Sequence, residues 1–153
     1  MMNKLLHGAL SVRPIPDKKL FYLLSFTWGL PMTLAGIAVA CGMLLTGHRM
    51  HRFGPCFYFE QGKNWGGMTW GFVIIVCEGA GTGLLSHELG HAMQNCRFGP
   101  FMPFLVGMPS SLRYHARRLF TRITKKEPKT PYDAVWFEAQ ATAVGREYLD
   151  LQH

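Results

Sequence analysis

Hydrophobic and polar positions alternate along this chain in a few distinct rhythms, and each predicts a different element. From Leu20 to Thr46 there is no Asp, Glu, Lys or Arg across 27 positions. As one helix that run spans about 40 Å, against a hydrocarbon layer of roughly 30 Å. It predicts a transmembrane helix, with tilt or a kink at Pro31 absorbing the excess and Phe21, Tyr22 and Trp28 toward one interface. A cleaved signal peptide competes with this reading, because Lys18-Lys19 precede the run and Ala38-Val39-Ala40 resembles a cleavage site. Against cleavage, the basic flank starts late and the apolar character continues through Gly42-Met43-Leu44-Leu45.

After the apolar run the pattern turns to β. Cys56 to Glu60 reads as a short strand, Lys63 to Gly67 as a turn, and Met68 to Val76 as β-rich, together predicting a hairpin open to a third partner. Trp65, Trp70 and Phe72 read as packing residues. A helical rhythm then begins. Gly79 to Gly83 is a flexible turn with Thr82 as N-cap, and Gly99-Pro100 is the stop, with Arg97 in the last turn. One face of this helix carries Leu84, His87, Glu88, His91 and Gln94 or Asn95. The other carries Leu85, Leu89, Ala92, Met93 and Cys96, the core side.

Phe98 to Pro109 is apolar but interrupted by Pro100, Pro103 and Pro109, too broken and short to span a bilayer. It rests in the interface or covers the core. Ser111 to Lys126 carries six cations with Leu112, Leu119, Phe120 and Ile123 at helical spacing, a basic amphipathic helix. Its face either contacts anionic headgroups or is simply solvated. A last helix is predicted from Pro131 to about Asp150, with Thr130 as N-cap, Pro131 at N1 and Asp133 at N3. The expected class is α+β: a basic segment over 1–19, a transmembrane helix over 20–46, and a small domain over 47–153.

Charge and cysteines change this picture little. The formal excess of +7 is spread along the chain and no RNA- or DNA-reading motif appears, so no nucleic-acid partner is expected. Lysine and arginine flank the apolar run on both sides and do not orient it. Cys41 lies in the run, leaving Cys56, Cys77 and Cys96, an odd number with no C-x-x-C. That favours reduced thiols and a cytoplasmic domain.

The candidate chemistry lies at His87-Glu88-Leu89-Gly90-His91, an H-E-x-x-H sequence on the central helix. Positions i and i+4 share a helix face, so the two imidazoles can converge on one metal ion, with Glu88 beside them to take a proton from water. A catalytic zinc takes three protein ligands and keeps one position for water. Glu138 is the best-framed third ligand, 47 positions beyond His91, with small neighbours Ala134, Ala141, Thr142 and Gly145 that let two helices come close. His115, Asp133 and Glu147 compete for that role. The glycines at 79, 81 and 83 match neither G-x-G-x-x-G nor a P-loop, which removes a phosphate site.

His-Glu-Leu-Gly-His followed by Glu138-Ala139-Gln140-Ala141 resembles the gluzincin zinc metallopeptidases, whose second motif reads Glu-x-x-Ala-Asp, and is most similar to their membrane-bound HtpX-type branch. The resemblance implies a zincin-like domain, one Zn²⁺ held by His87, His91 and Glu138, and Glu88 as general base. It covers two short motifs and their order. The family's aspartate is Thr142 here, which can make one hydrogen bond but supplies no charge to the ligand histidine it would orient. The implied function is a single-pass, membrane-anchored peptidase acting on a peptide or protein, with the bilayer or a protein partner helping to grip substrate. Tyr148, Tyr132, Tyr114 and His115 are candidate oxyanion donors. A non-catalytic binding protein on the same fold and a hydrolase of non-peptide bonds are the rival functions.

Overall fold

The computed structural model describes residues 11–130 and 135–152. Two helices open it, α1 (Lys18–Phe26) and α2 (Leu30–Leu45), followed by strands β1 (Met50–Phe53), β2 (Cys56–Glu60), β3 (Gly67–Trp70) and β4 (Val73–Val76). The long central helix α3 covers Thr82–Phe98, and α4 (Met108–Thr124) and α5 (Trp136–Asp150) complete the chain. The class is α+β.

The expected single span over Leu20–Thr46 is not one helix. Among the described residues no helix is long and apolar enough to cross a membrane, and α1 and α2 are bent by 96° at Thr27–Gly29. Three contacts hold the bend. Trp28 donates its indole N–H to the Arg97 carbonyl, Gly29 N–H closes onto the Leu24 carbonyl, and Thr33 Oγ1 reaches back to the Ser25 carbonyl. Pro31 in the first turn of α2 fits a helix start and not a helix interior.

The sheet order is β1-β2-β4-β3. The hairpin lies within residues 67–76, where β3 and β4 pair antiparallel about Gly71 at φ +61°. β2 therefore meets β4 in parallel, Phe57 opposite Val73, and its antiparallel partner is β1, which the alternation of Met50–Phe53 does not announce. Trp70 and Phe72 pack against the core, as expected, while the Trp65 indole bonds the Gln61 carbonyl.

α3 is the hub. Apart from its first turn it is buried on nearly every side, by α1 beneath, β3 and β4 along one flank and α5 across another. It begins one residue earlier than expected, with Gly81 in place of Thr82 as N-cap, and ends as expected at Gly99, φ +54°. The stretch after it is helical, a 3-10 turn over Gly99–Phe101 and a π-helical turn over Pro103–Gly107 leading into α4. α5 begins at Trp136, later than the expected start at Pro131, with extended Val135 as its N-cap; Pro131 and Asp133 themselves lie outside the described residues.

Candidate metal centre

The α3–α5 crossing brings the site together because both helices are small where they meet. A Cβ on Gly90 would lie 1.9 Å from the Ala141 carbonyl oxygen, and one on Gly145 would lie 1.8 Å from that of Ser86. Ser86 and Gly90 are thus one turn apart on α3, facing Ala141 and Gly145 one turn apart on α5. Backbones this close let the short reach of Glu138, in the first turn of α5, cover the gap to α3.

His87 Nε2 and His91 Nε2 lie 3.1 and 3.2 Å from Glu138 Oε2, and 3.2 Å from each other. Three potential ligand atoms so form a nearly equilateral triangle, and the group could hold a metal ion. Glu138 is fully buried and His91 nearly so, with His87 the most open of the three.

The far nitrogens are tied down. Gln94 donates its amide N–H groups to the Phe137 carbonyl and to Gln140 Oε1, so its Oε1 must accept from His91 Nδ1–H at 2.8 Å. That fixes the His91 tautomer and leaves Nε2 with a lone pair aimed at the triangle. Thr142 Oγ1 lies 2.9 Å from His87 Nδ1 and orients the second ring. The position where the resembled family has an aspartate therefore still makes the expected hydrogen bond, without charge. Ser110 of α4 donates to Glu138 Oε1.

Burial by itself would raise the Glu138 pKa, but the hydrogen bonds from His87, His91 and Ser110 and the His91 charge outweigh it and hold the carboxyl far below its ordinary range. Burial by itself would lower the pKa of His91, and the Glu138 hydrogen bond with the nearby Glu88 and Glu138 charges raises it instead. With His91 protonated, its Nε2–H donates to Glu138 and the cluster is a buried ion pair.

No family model, curated protein or solved structure matches this chain.

Glu88 is buried on the flank of α3 that faces the sheet. Thr69 Oγ1 lies 2.6 Å from Glu88 Oε2, and Gly67 leaves room for the carboxylate, since a Cβ there would fall 2.5 Å from Oε1. Both residues belong to β3, an edge strand. Of the competing ligands, His115 and Glu147 are exposed, and Asp133 lies outside the described residues. Tyr148 is ten positions along α5 from Glu138, about 15 Å at helical rise, and packs against Gly54, so it is no oxyanion donor. Tyr132 is outside the described residues. Tyr114 and His115 lie on α4 with their rings edge to face. Thr69 and Ser110 were not singled out from sequence, because single hydroxyls on a strand and a helix start carry no spacing signal.

Proposed function

We propose that this chain is a zinc-dependent metallopeptidase of gluzincin type, working at a membrane, with His87, His91 and Glu138 as ligands of one Zn²⁺ and Glu88 as general base. The observation that carries the reading is the ligand triangle. A tetrahedral ion with nitrogen and oxygen ligands at about 2.0–2.1 Å keeps those atoms about 3.3–3.4 Å apart, and the edges here are 3.1–3.2 Å. A zinc ion in this triangle would supply Lewis acidity, acidifying a water toward neutral pH and polarising a substrate carbonyl.

The protein's own groups divide the remaining work. His91 presents a lone pair because Gln94 accepts from its Nδ1–H, and Thr142 orients the His87 ring through its Nδ1. Glu138 contributes a charge that stays ionised in a dry setting, at the N-terminal turn of α5 where the helix dipole favours it. Thr69 holds one oxygen of Glu88, leaving the other to accept the proton that the attacking water releases and to pass it to the leaving amine. β3, an edge strand, offers unpaired backbone groups to which an extended peptide can add beside that carboxylate.

The test is zinc content and peptide cleavage of the purified protein, with Glu88→Gln and His91→Ala. Zinc retained with cleavage lost in the first, and zinc largely lost in the second, is the expected result. Zinc bound by the wild type without cleavage of any membrane or soluble peptide would replace this reading with a binding protein on the same fold. No zinc after metal is supplied would end both.

A further inference from the structure

Helix α4 is amphipathic in the wrong sense for a surface helix of a protein surrounded only by water. Its polar side faces the body, where Ser110 bonds Glu138, yet none of its residues is buried. Met108, Leu112, Leu119 and Ile123 follow one another at i, i+4, i+11 and i+15, which at 3.6 residues per turn places them along one line. They are 62, 73, 57 and 72% exposed. Arg118 and Arg122 flank this line on one side and Arg113 on the other, while Arg117 lies toward the Ser110 side and donates to the Thr130 carbonyl. Seven of the 16 Lys and Arg residues lie between Arg113 and Lys129, with Glu127 the one acid among them.

The apolar surface continues beyond α4. Phe104 in the π-helical turn and Phe101 in the 3-10 turn are exposed, and the Phe101 ring meets that of Trp28 at the α1–α2 bend, itself half-exposed. Exposed Leu23, Phe26, Leu30 and Leu34 extend it along α1 and α2.

We infer that α4 is an interfacial helix that lies on a bilayer surface carrying anionic lipids, its Met108–Leu112–Leu119–Ile123 line among the acyl chains and its flanking arginines at the headgroups. Charge and shape both select this occupant. A second protein could bury the apolar line, but cations on both sides of it, Arg118 and Arg122 against Arg113, fit a plane of phosphates, where long arginine stems reach outward while the guanidinium stays wet. Each cation near such a surface strengthens binding about fivefold. The inference is independent of the zinc reading, since no metal ligand lies on the exposed line.

A thiol-reactive, environment-sensitive fluorophore at Ile123→Cys reads the contact locally, whatever α1 and α2 do. Cys41→Ser and Cys77→Ser remove the accessible thiols. Cys56 and Cys96 are buried, and burial pushes their thiols up, Cys96 to about 11, so they stay unlabelled. The full chain is incubated with phosphatidylcholine vesicles, with and without phosphatidylglycerol. The expected result is a blue shift on the anionic vesicles, small on the neutral ones and reversed by high salt, with no shift for the label at Thr124→Cys. Arg118→Gln with Arg122→Gln should weaken the response roughly 30-fold, two cations at about fivefold each, while circular dichroism stays unchanged. No shift with anionic vesicles would overturn the inference, as would an equal shift on neutral vesicles that salt does not reverse. A blue shift without lipid that grows with protein concentration would overturn it in favour of a second copy of the chain.

Discussion

Gly90→Ala separates the geometry of this site from helix propensity, because the two predict opposite signs. Mid-helix glycine costs about 1 kcal/mol relative to alanine, so propensity alone makes the variant more stable. At 2–4 °C per kcal/mol for a chain of roughly this size, that is a rise of a few degrees in Tm. The structure dictates otherwise. The new methyl would sit 1.9 Å from the Ala141 carbonyl oxygen, and reaching 3.4 Å, the near edge of ordinary contact, needs about 1.5 Å of separation between α3 and α5. Overpacking of this kind costs about 1–3 kcal/mol, which offsets or exceeds the propensity gain. The larger consequence is for the ligands. Glu138 rides on α5, so its 3.1–3.2 Å spacings from the imidazoles open to about 4.6 Å, beyond the ~3.4 Å edge of a tetrahedral site. Zinc affinity should fall by at least the 10–100-fold typical of disturbing a ligand's support. Competition against a chromophoric chelator gives the affinity, and thermal unfolding with and without zinc gives the stability. A variant that binds zinc like the wild type and melts a few degrees higher would refute the close crossing.

Gln94→Leu frees His91 to place its proton on Nε2 and should weaken zinc 10–100-fold with little change in far-ultraviolet circular dichroism, measured by the same competition. Tyr148→Phe removes a buried hydroxyl that has no partner among the described residues, so Tm should stay level or rise and peptide cleavage should not change. The metal-free protein should be most stable between about pH 4.5 and 6.5. The lowered Glu138 pKa contributes stability above its ordinary 4.5 that is lost as pH falls through the lowered value, whereas the raised His91 pKa contributes below its ordinary 6.5 and is lost as pH rises through the raised one. Urea titrations across pH should show that maximum, and Glu138→Gln should flatten it.

What the sequence made legible was local. H-E-x-x-H spacing requires only that a helix exist, and the glycines at 79–83 and 99 bracket one. Glu138 was legible because its small neighbours Ala141 and Gly145 are also what the helix crossing uses. The bend at Thr27–Gly29 was not, since an uncharged run looks alike whether straight or folded back, and one of the contacts that fold it comes from Arg97, far along the chain. The parallel β2–β4 pairing was hidden for the same reason. Alternation marks Phe57 and Val73 as strand residues but says nothing about which edge of β4 is taken by β3.

α4 then poses a last question, whether its two sides act separately. Ser110 reaches Glu138 from one side, and the Met108–Ile123 line points away on the other. A rigid helix that merely carries both would let each be removed alone. Ser110→Ala takes away one of the hydrogen bonds holding Glu138 and should weaken zinc by about tenfold, at the low end for a supporting contact, while the Ile123 label still shifts on anionic vesicles. Arg118→Gln with Arg122→Gln should do the reverse, weakening the vesicle response and leaving zinc affinity alone, since neither arginine bonds a ligand. If either change moves both readouts by comparable factors, α4 is not a passive bridge, and the metal centre and the lipid-facing surface must be treated as one coupled unit.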